Sequence, residues 1–245
     1  MVRIYGSGTE FLTENRPIID RYPLDMAFFV GNAKRMPDNR DGFSLWVEEG
    51  AHILLAIRYL EFPMVLFGAE ELCGQLAEAL IHNGLTFGKV LGKGSLPETF
   101  LSHYEVMAGG SHKIHVSMMT MICTDFHGCA TSKVFHASPA EVNEIPALTE
   151  KFYQEAVQET IDLTKIEERI WEEIGTYACI RREGKLVSMA KTTRETVRLC
   201  AISAVYTLPE YRGQGFARQI VTALTAEILS RKKTPYLYVD QTYHI

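Results

Sequence analysis

The chain has 245 residues, 47% hydrophobic and 22% charged, with a formal net charge of -5. That balance suits soluble globular domains and gives no basis for nucleic-acid binding. The first residues lack a signal peptide's apolar core, and no apolar run approaches the roughly 18 residues of a membrane span, so a cytoplasmic protein without membrane contact is expected.

The five cysteines, Cys73, Cys123, Cys129, Cys179 and Cys200, include no C-x-x-C pair and read as reduced, mostly buried thiols. Cys123 to Cys129, with His112 and His115 upstream, fits no standard metal-ligand spacing, so no metal is expected.

In chain order, Ile18 to Val30 is apolar and Asn32 to Gly42 is a polar loop. Phe43–Val47 and Ala51–Tyr59 read as strands turned by Glu48-Glu49-Gly50. Pro63–Phe67 is a short buried strand. The helix that follows is led by Glu70-Glu71, carries Leu72, Cys73, Leu76, Ala77, Leu80 and Ile81 on one face, and stops at Asn83-Gly84. Thr86–Leu91 reads as another strand and Pro97–Ala108 as a helix ended by Gly109-Gly110. Gly88 to Ser95 contains G-K-G-S but lacks the P-loop spacing, so it is read as a plain loop. His112–Cys123 is strand-like, with Ala130–His136 expected to pair with it. Residues 1–136 are therefore taken as one α/β layer.

Ser138-Pro139-Ala140-Glu141 is a capping box that opens the second layer, residues 137–245. A helical run to about Gln158 follows, interrupted at Pro146, and then a helix over Leu163–Ile174. Tyr177–Arg181 and Leu186–Ala190 form a hairpin across Glu183-Gly184. Val197–Thr207 is a strand that ends in a turn holding Gly213 and Gly215, and Ala217, Ile220, Val221, Leu224, Ile228 and Leu229 line one face of the next helix. A strand over Pro235–Val239 comes last. Two glycines before a helix N-terminus form an anion cradle, because the first-turn N–H groups are free and the helix dipole adds to them.

This order, with R-G-Q-G-F-A at Arg212–Ala217 on the pattern Q/R-x-x-G-x-G/A, resembles the GNAT superfamily of acyl-CoA-dependent N-acyltransferases. V-Y-T-L-P-E-Y-R-G-Q-G-F-A at Val205–Ala217 and E-G-K-L-V-S-M-A at Glu183–Ala190 are similar to a bacterial two-domain branch in which a degenerate GNAT-like half precedes the working one. The implied fold is α/β (α+β), with two mixed-sheet layers flanked by helices and a GNAT-like C-terminal half.

The resemblance implies an N-acyltransferase using acetyl-CoA or another acyl-CoA. An amine of a small molecule, amino acid or peptide would attack the thioester directly. Backbone N–H groups of Arg212, Gly213, Gln214, Gly215, Phe216 and Ala217 would hold the coenzyme A pyrophosphate, with the Arg212 side chain adding charge. The main chain of Val205, Tyr206 and Thr207 would pair with the pantetheine arm, and the Val205 N–H would face the developing oxyanion.

The family's central-strand glutamate has no counterpart between Val197 and Thr207. Glu195 lies just outside, and Cys200 is a buried strand thiol. The family's C-terminal tyrosine would fall beyond Ile245, with Tyr243 a substitute only if the tail folds back. The catalytic residues therefore stay unassigned, and the alternative is an acyl-CoA-binding module without transfer. The final strand is expected to have an open edge, to be covered by the N-terminal half or by a second subunit in a homodimer.

Overall fold

The computed structural model describes residues 1–128, 133–157 and 163–241, and the side chains of 163–166 are left aside. The chain divides into two compact units, Met1–His115 and Val116–Ile245.

In the first unit, β1 (Val2–Ile4), β2 (Gly42–Glu49), β3 (His52–Tyr59), β4 (Met64–Gly68) and β5 (Val90–Leu91) form one sheet in that order. All neighbours are antiparallel except β4 and β5, which are parallel. Helices α1 (Gly8–Glu14), α2 (Arg16–Arg21) and α3 (Ala27–Lys34) come before β2. The segment 18–30, left undivided in the sequence, thus contributes to two helices. Helix α4 (Cys73–His82) connects β4 to β5, and α5 (Leu96–Ala108) follows. The sheet is covered on both sides. Leu45, Val47, Leu54 and Ala56 pack with Leu76, Leu80 and Phe100, while Leu55, Ile57 and Val65 pack with Phe11 and Phe29. The strand expected over Thr86–Leu91 is reduced to β5.

The second sheet has the order β6 (Met118–Ile122), β11 (Thr234–Asp240), β10 (Leu199–Thr207), β9 (Lys185–Thr193), β8 (Tyr177–Arg182), β7 (Phe135–His136). The two segments preceding residue 137 therefore belong to this sheet. They also do not pair with each other as expected. β6 lies against β11, from Tyr236 opposite Ile122 to Asp240 opposite Met118, and β7 lies against β8. The physical reason is that β11 has an edge with unmade backbone hydrogen bonds, and β6 satisfies it. The edge of the last strand is thus covered by β6, a segment that the sequence placed with residues 1–136, and β6 is the edge strand of the sheet. Residues 129–132 of the expected Ala130–His136 strand lie outside the described residues.

The capping box at Ser138 is present, with Glu141 accepting from the Ser138 backbone N–H at 2.9 Å. It opens a single 3₁₀ turn. Helix α6 (Ile145–Phe152) follows, widening into a π-turn over Tyr153–Val157, and α7 (Leu163–Glu173) comes next. The β8–β9 hairpin turns at Glu183 and Gly184, both with positive φ (50° and 81°), the signature of the turn type that matches strand twist.

Helix α8 (Phe216–Ser230) lays Phe216, Ile220, Leu224 and Ile228 on one face of the sheet, against Ala178, Ile180, Val187, Ala190, Cys200 and Ile202. Each fully buried large side chain here contributes roughly 1.5–3 kcal/mol. On the other face, Ile145, Leu148 and Ile170 of α6 and α7 cover Tyr177, Cys179, Met189 and Tyr206.

Both units run through the same sequence of steps: antiparallel strands, a third strand, a turn, a helix, and a parallel fourth strand. Their turns differ in backbone. The 3₁₀ turns after β4 and β10 both carry acid, Glu70 and Glu71 in one and Glu210 in the other, and neither α4 nor α8 has an acidic residue in its first turn, but only the second unit has glycines of positive φ, Gly213 and Gly215, between turn and helix.

Candidate cofactor site

The site is built where β10 leaves its neighbours. β10 and β11 are parallel and paired from Leu199/Thr234 to Ala201/Tyr236. Past that point β10 continues to Thr207 paired with β9, and no further β10–β11 pairing occurs among the described residues. Backbone groups on the β11 side of β10 are left for something other than a strand.

A bulge lies in the same stretch. Ser203 faces Lys191 and Tyr206 faces Met189, so Ala204 and Val205 stand opposite Ala190 alone. Ala204 takes a left-handed φ of 51°. A bulge lifts backbone groups out of the ladder and re-aims them, here in the residues named from the sequence as the thioester end of the site.

At the far end of the strand, Pro209–Tyr211 makes a 3₁₀ turn and Arg212 returns to extended backbone. Gly213 and Gly215 have φ of 73° and 76°, and a Cβ built on either meets nothing within 4 Å. The cradle is therefore open on its outer side, and the glycines serve conformation there instead of relieving a clash. Gly215 caps α8 without a side-chain hydrogen bond, and the N–H groups of Gly213 to Ala217 find no protein acceptor among the described residues. Phe216 is buried at 4% exposure and anchors the helix start. Open cradle, unused donors and absent acid together fit a diphosphate.

All nine residues named from the sequence thus fall in one continuous stretch. Val205, Tyr206 and Thr207 are on the free edge of β10, and Arg212, Gly213, Gln214, Gly215, Phe216 and Ala217 form the turn and helix start. The side chain of Arg212 has partners within the protein. Its Nε donates to the Thr207 carbonyl at 3.0 Å and its Nη2 to Glu155 at 2.7 Å. The Tyr206 hydroxyl donates to the same Glu155 oxygen at 3.3 Å. The Arg212 guanidinium holds the Glu155 carboxyl below its ordinary range, and Glu155 raises Arg212 in turn. The sequence did not single out Glu155. It sits in the π-turn, in no motif, and only the fold brings it to β10.

Glu195 stands at the other end of the strand. It accepts two hydrogen bonds from Arg231 at 3.1 Å and one from Lys233 at 2.5 Å, and these, with Lys233 first, lower its pKa. It lies in the turn before β10, which starts at Leu199, and the five strand residues from there to Ala204 span roughly 17 Å, so Glu195 belongs to a structural ion cluster away from the bulge. Cys200 is fully buried and its thiol is raised by desolvation, the opposite of an activated nucleophile. Another buried pair lies on the α7 side, where Lys191 Nζ donates to Glu173 at 2.8 Å and sits 5.1 Å from the Tyr177 ring. Burial pulls the Lys191 pKa down and Glu173 opposes it. Tyr243 and Cys129 lie outside the described residues. Among those described, no group of His, Cys, Asp and Glu could hold a metal ion, and no helix is long and apolar enough to cross a membrane.

The bulged strand, glycine turn and parallel return strand are arranged as in the GNAT fold. A family model described as FR47-like protein matches residues 179–243. The structure is similar to a GCN5-related N-acetyltransferase from Sphaerobacter thermophilus, with 11% identity and a TM-score of 0.61 over 100% of this chain and 89% of that one. It is also similar to a GNAT-family acetyltransferase from Colwellia psychrerythraea, with 11% identity and a TM-score of 0.59 over 98% and 90%. A GCN5-related N-acetyltransferase from Kribbella flavida aligns with 14% identity and a TM-score of 0.56 over 91% and 88%. No curated protein sequence matches the chain.

Proposed function

We propose that the second unit binds acyl-CoA, most simply acetyl-CoA, and transfers its acyl group to the amine of a small molecule, amino acid or peptide. The observation that carries this reading is a coincidence in space: a free strand edge, a bulge within it and an open N–H cradle at its end follow one another along Val205–Ala217. A long ligand with amides at one end and a diphosphate at the other matches that sequence of groups. The cofactor supplies an activated thioester carbonyl. In this reading the Val205 N–H polarises that carbonyl, the edge of β10 aligns the arm, and the cradle fixes the diphosphate. The proton taken from the amine goes to a group outside β10, because no side chain from Leu199 to Thr207 is acidic. The first unit acts as a degenerate copy of the same fold, with no residue of positive φ between Ala69 and Cys73 to form a cradle, and the protein works in the cytoplasm.

The experiment is a two-part measurement. Calorimetry with acetyl-CoA is expected to give saturable binding, and coenzyme A release across a panel of primary amines is expected to exceed the no-amine blank, with the protein's own thiols controlled. Binding with a flat panel would point to a carrier module instead, and absence of binding would end the reading.

A further inference from the structure

Arg212 is part of the proposed cofactor turn, yet its guanidinium lies back along β10. It caps the Thr207 carbonyl, one of the backbone groups the arm would use, and rests 5.6 Å from the Tyr206 ring centroid. Glu155 holds it there, through the 2.7 Å ion pair and through the shared hydrogen bond from Tyr206. Both charged side chains are partly exposed, at 44% and 37%, so water competes with the pair and it contributes little as a fixed strut. A diphosphate bound at Gly213–Ala217 would place at least two negative charges one residue away from Arg212, in a geometry that guanidinium groups match with paired hydrogen bonds.

We propose that Glu155 is a positioning residue that competes with the cofactor diphosphate for Arg212, parking the guanidinium on Thr207 until coenzyme A takes it. This rests on the cofactor site proposed above. Two consequences follow from the exchange. The Thr207 carbonyl is uncovered just as an arm amide arrives to use it. The Glu155 carboxylate keeps its hydrogen bond from Tyr206 while the guanidinium turns to the diphosphate.

The test is coenzyme A affinity by calorimetry for the wild type, Glu155→Gln, Arg212→Gln and the double variant. Glu155→Gln is expected to tighten coenzyme A threefold or more, because Arg212 no longer has to leave a carboxylate. Arg212→Gln is expected to weaken binding, and by a larger factor in the Glu155→Gln background. Glu155→Ala must shift affinity in the same direction, which separates loss of charge from any effect of the new amide. Unchanged or weaker binding in both Glu155 variants, with the wild type binding normally, overturns this inference alone. Failure of the wild type to bind coenzyme A takes down the cofactor site and this inference with it.

Discussion

Ala201 and Tyr236 are the last residues at which β10 and β11 run side by side. Three residues further on, Ala204 takes a left-handed conformation and the bulge against β9 begins. The strand thus loses one neighbour and its regular ladder to the other almost together. In the reading proposed above, the cofactor arm would use the edge that β11 leaves, and the bulge would aim the backbone donor at the thioester.

The bulge is open to a direct test. A β-branched residue in left-handed backbone costs roughly 1–2 kcal/mol, so Ala204→Val is expected to lower the unfolding midpoint by several degrees. Ala204→Gly should be close to neutral, since glycine adopts that φ freely. Thermal unfolding followed by circular dichroism distinguishes the two; equal effects would mean that Ala204 is not left-handed.

The cradle can be spoiled without disturbing the fold. Gly215→Asp places a carboxylate where the diphosphate is proposed to sit, at a position where an added Cβ meets nothing within 4 Å and where aspartate tolerates positive φ. Coenzyme A affinity should fall at least tenfold with the unfolding midpoint nearly unchanged.

One chain should bind one coenzyme A. The topologically matching turn of the first unit opens with Glu70 and Glu71, and Glu70 already accepts from Ser95 and Thr99. Between Ala69 and Cys73 there is also no residue of positive φ to match Gly213 and Gly215, so the backbone does not form the same cradle there. Calorimetric stoichiometry near one is expected, and two sites per chain would contradict this reading of the first unit's turn.

Glu195 gives a pH-dependent stability with a definite sign. Its folded pKa lies below the ordinary 4.5 because of Lys233 and Arg231, so its contribution is complete above that value and is lost as pH falls through the lower folded pKa. Glu195→Gln should therefore be destabilising at pH 7, and its difference from wild type should shrink as pH drops below about 4. Denaturant titrations at the two pH values measure it.

The Lys191–Glu173 pair predicts an asymmetry. Removing Glu173 takes the carboxylate from an ammonium at 14% exposure, a change that typically costs about 3–5 kcal/mol, whereas replacing both with apolar residues is often close to neutral. Glu173→Met should be clearly less stable than the double Glu173→Met, Lys191→Met.

These features were legible in the sequence to different depths. Helix α8, the β8–β9 hairpin and the glycine turn are written locally, in apolar spacing, in Glu183-Gly184 and in Gly213 and Gly215, and they fall where the spacing puts them. The stretch before Ser138 was legible as strand but not as to which strand it would join. Met118–Ile122 is exposed at four of its five positions, so no buried face marks its register or its partner. The bulge had no signal of its own, since Ala204 is an ordinary residue in an apolar run. Glu155 was hidden for a related reason: its partners Tyr206 and Arg212 lie more than fifty positions away, and nothing in a helical stretch shows which distant strand a carboxylate will meet.

The pairing of β6 with β11 bears on how this unit is made. Ser117 and Gln241, hydrogen-bonded at the end of that ladder, are 124 positions apart, so the sheet closes on its first and last strands. Such non-local closure slows folding, because the chain entropy of a long loop is lost before the pairing is gained. On the ribosome, Met118–Ile122 emerges before β11 and waits with its backbone edge unpaired until β11 has been synthesised. The cofactor turn, encoded just before β11, is therefore complete in sequence before the sheet that supports it is complete in space.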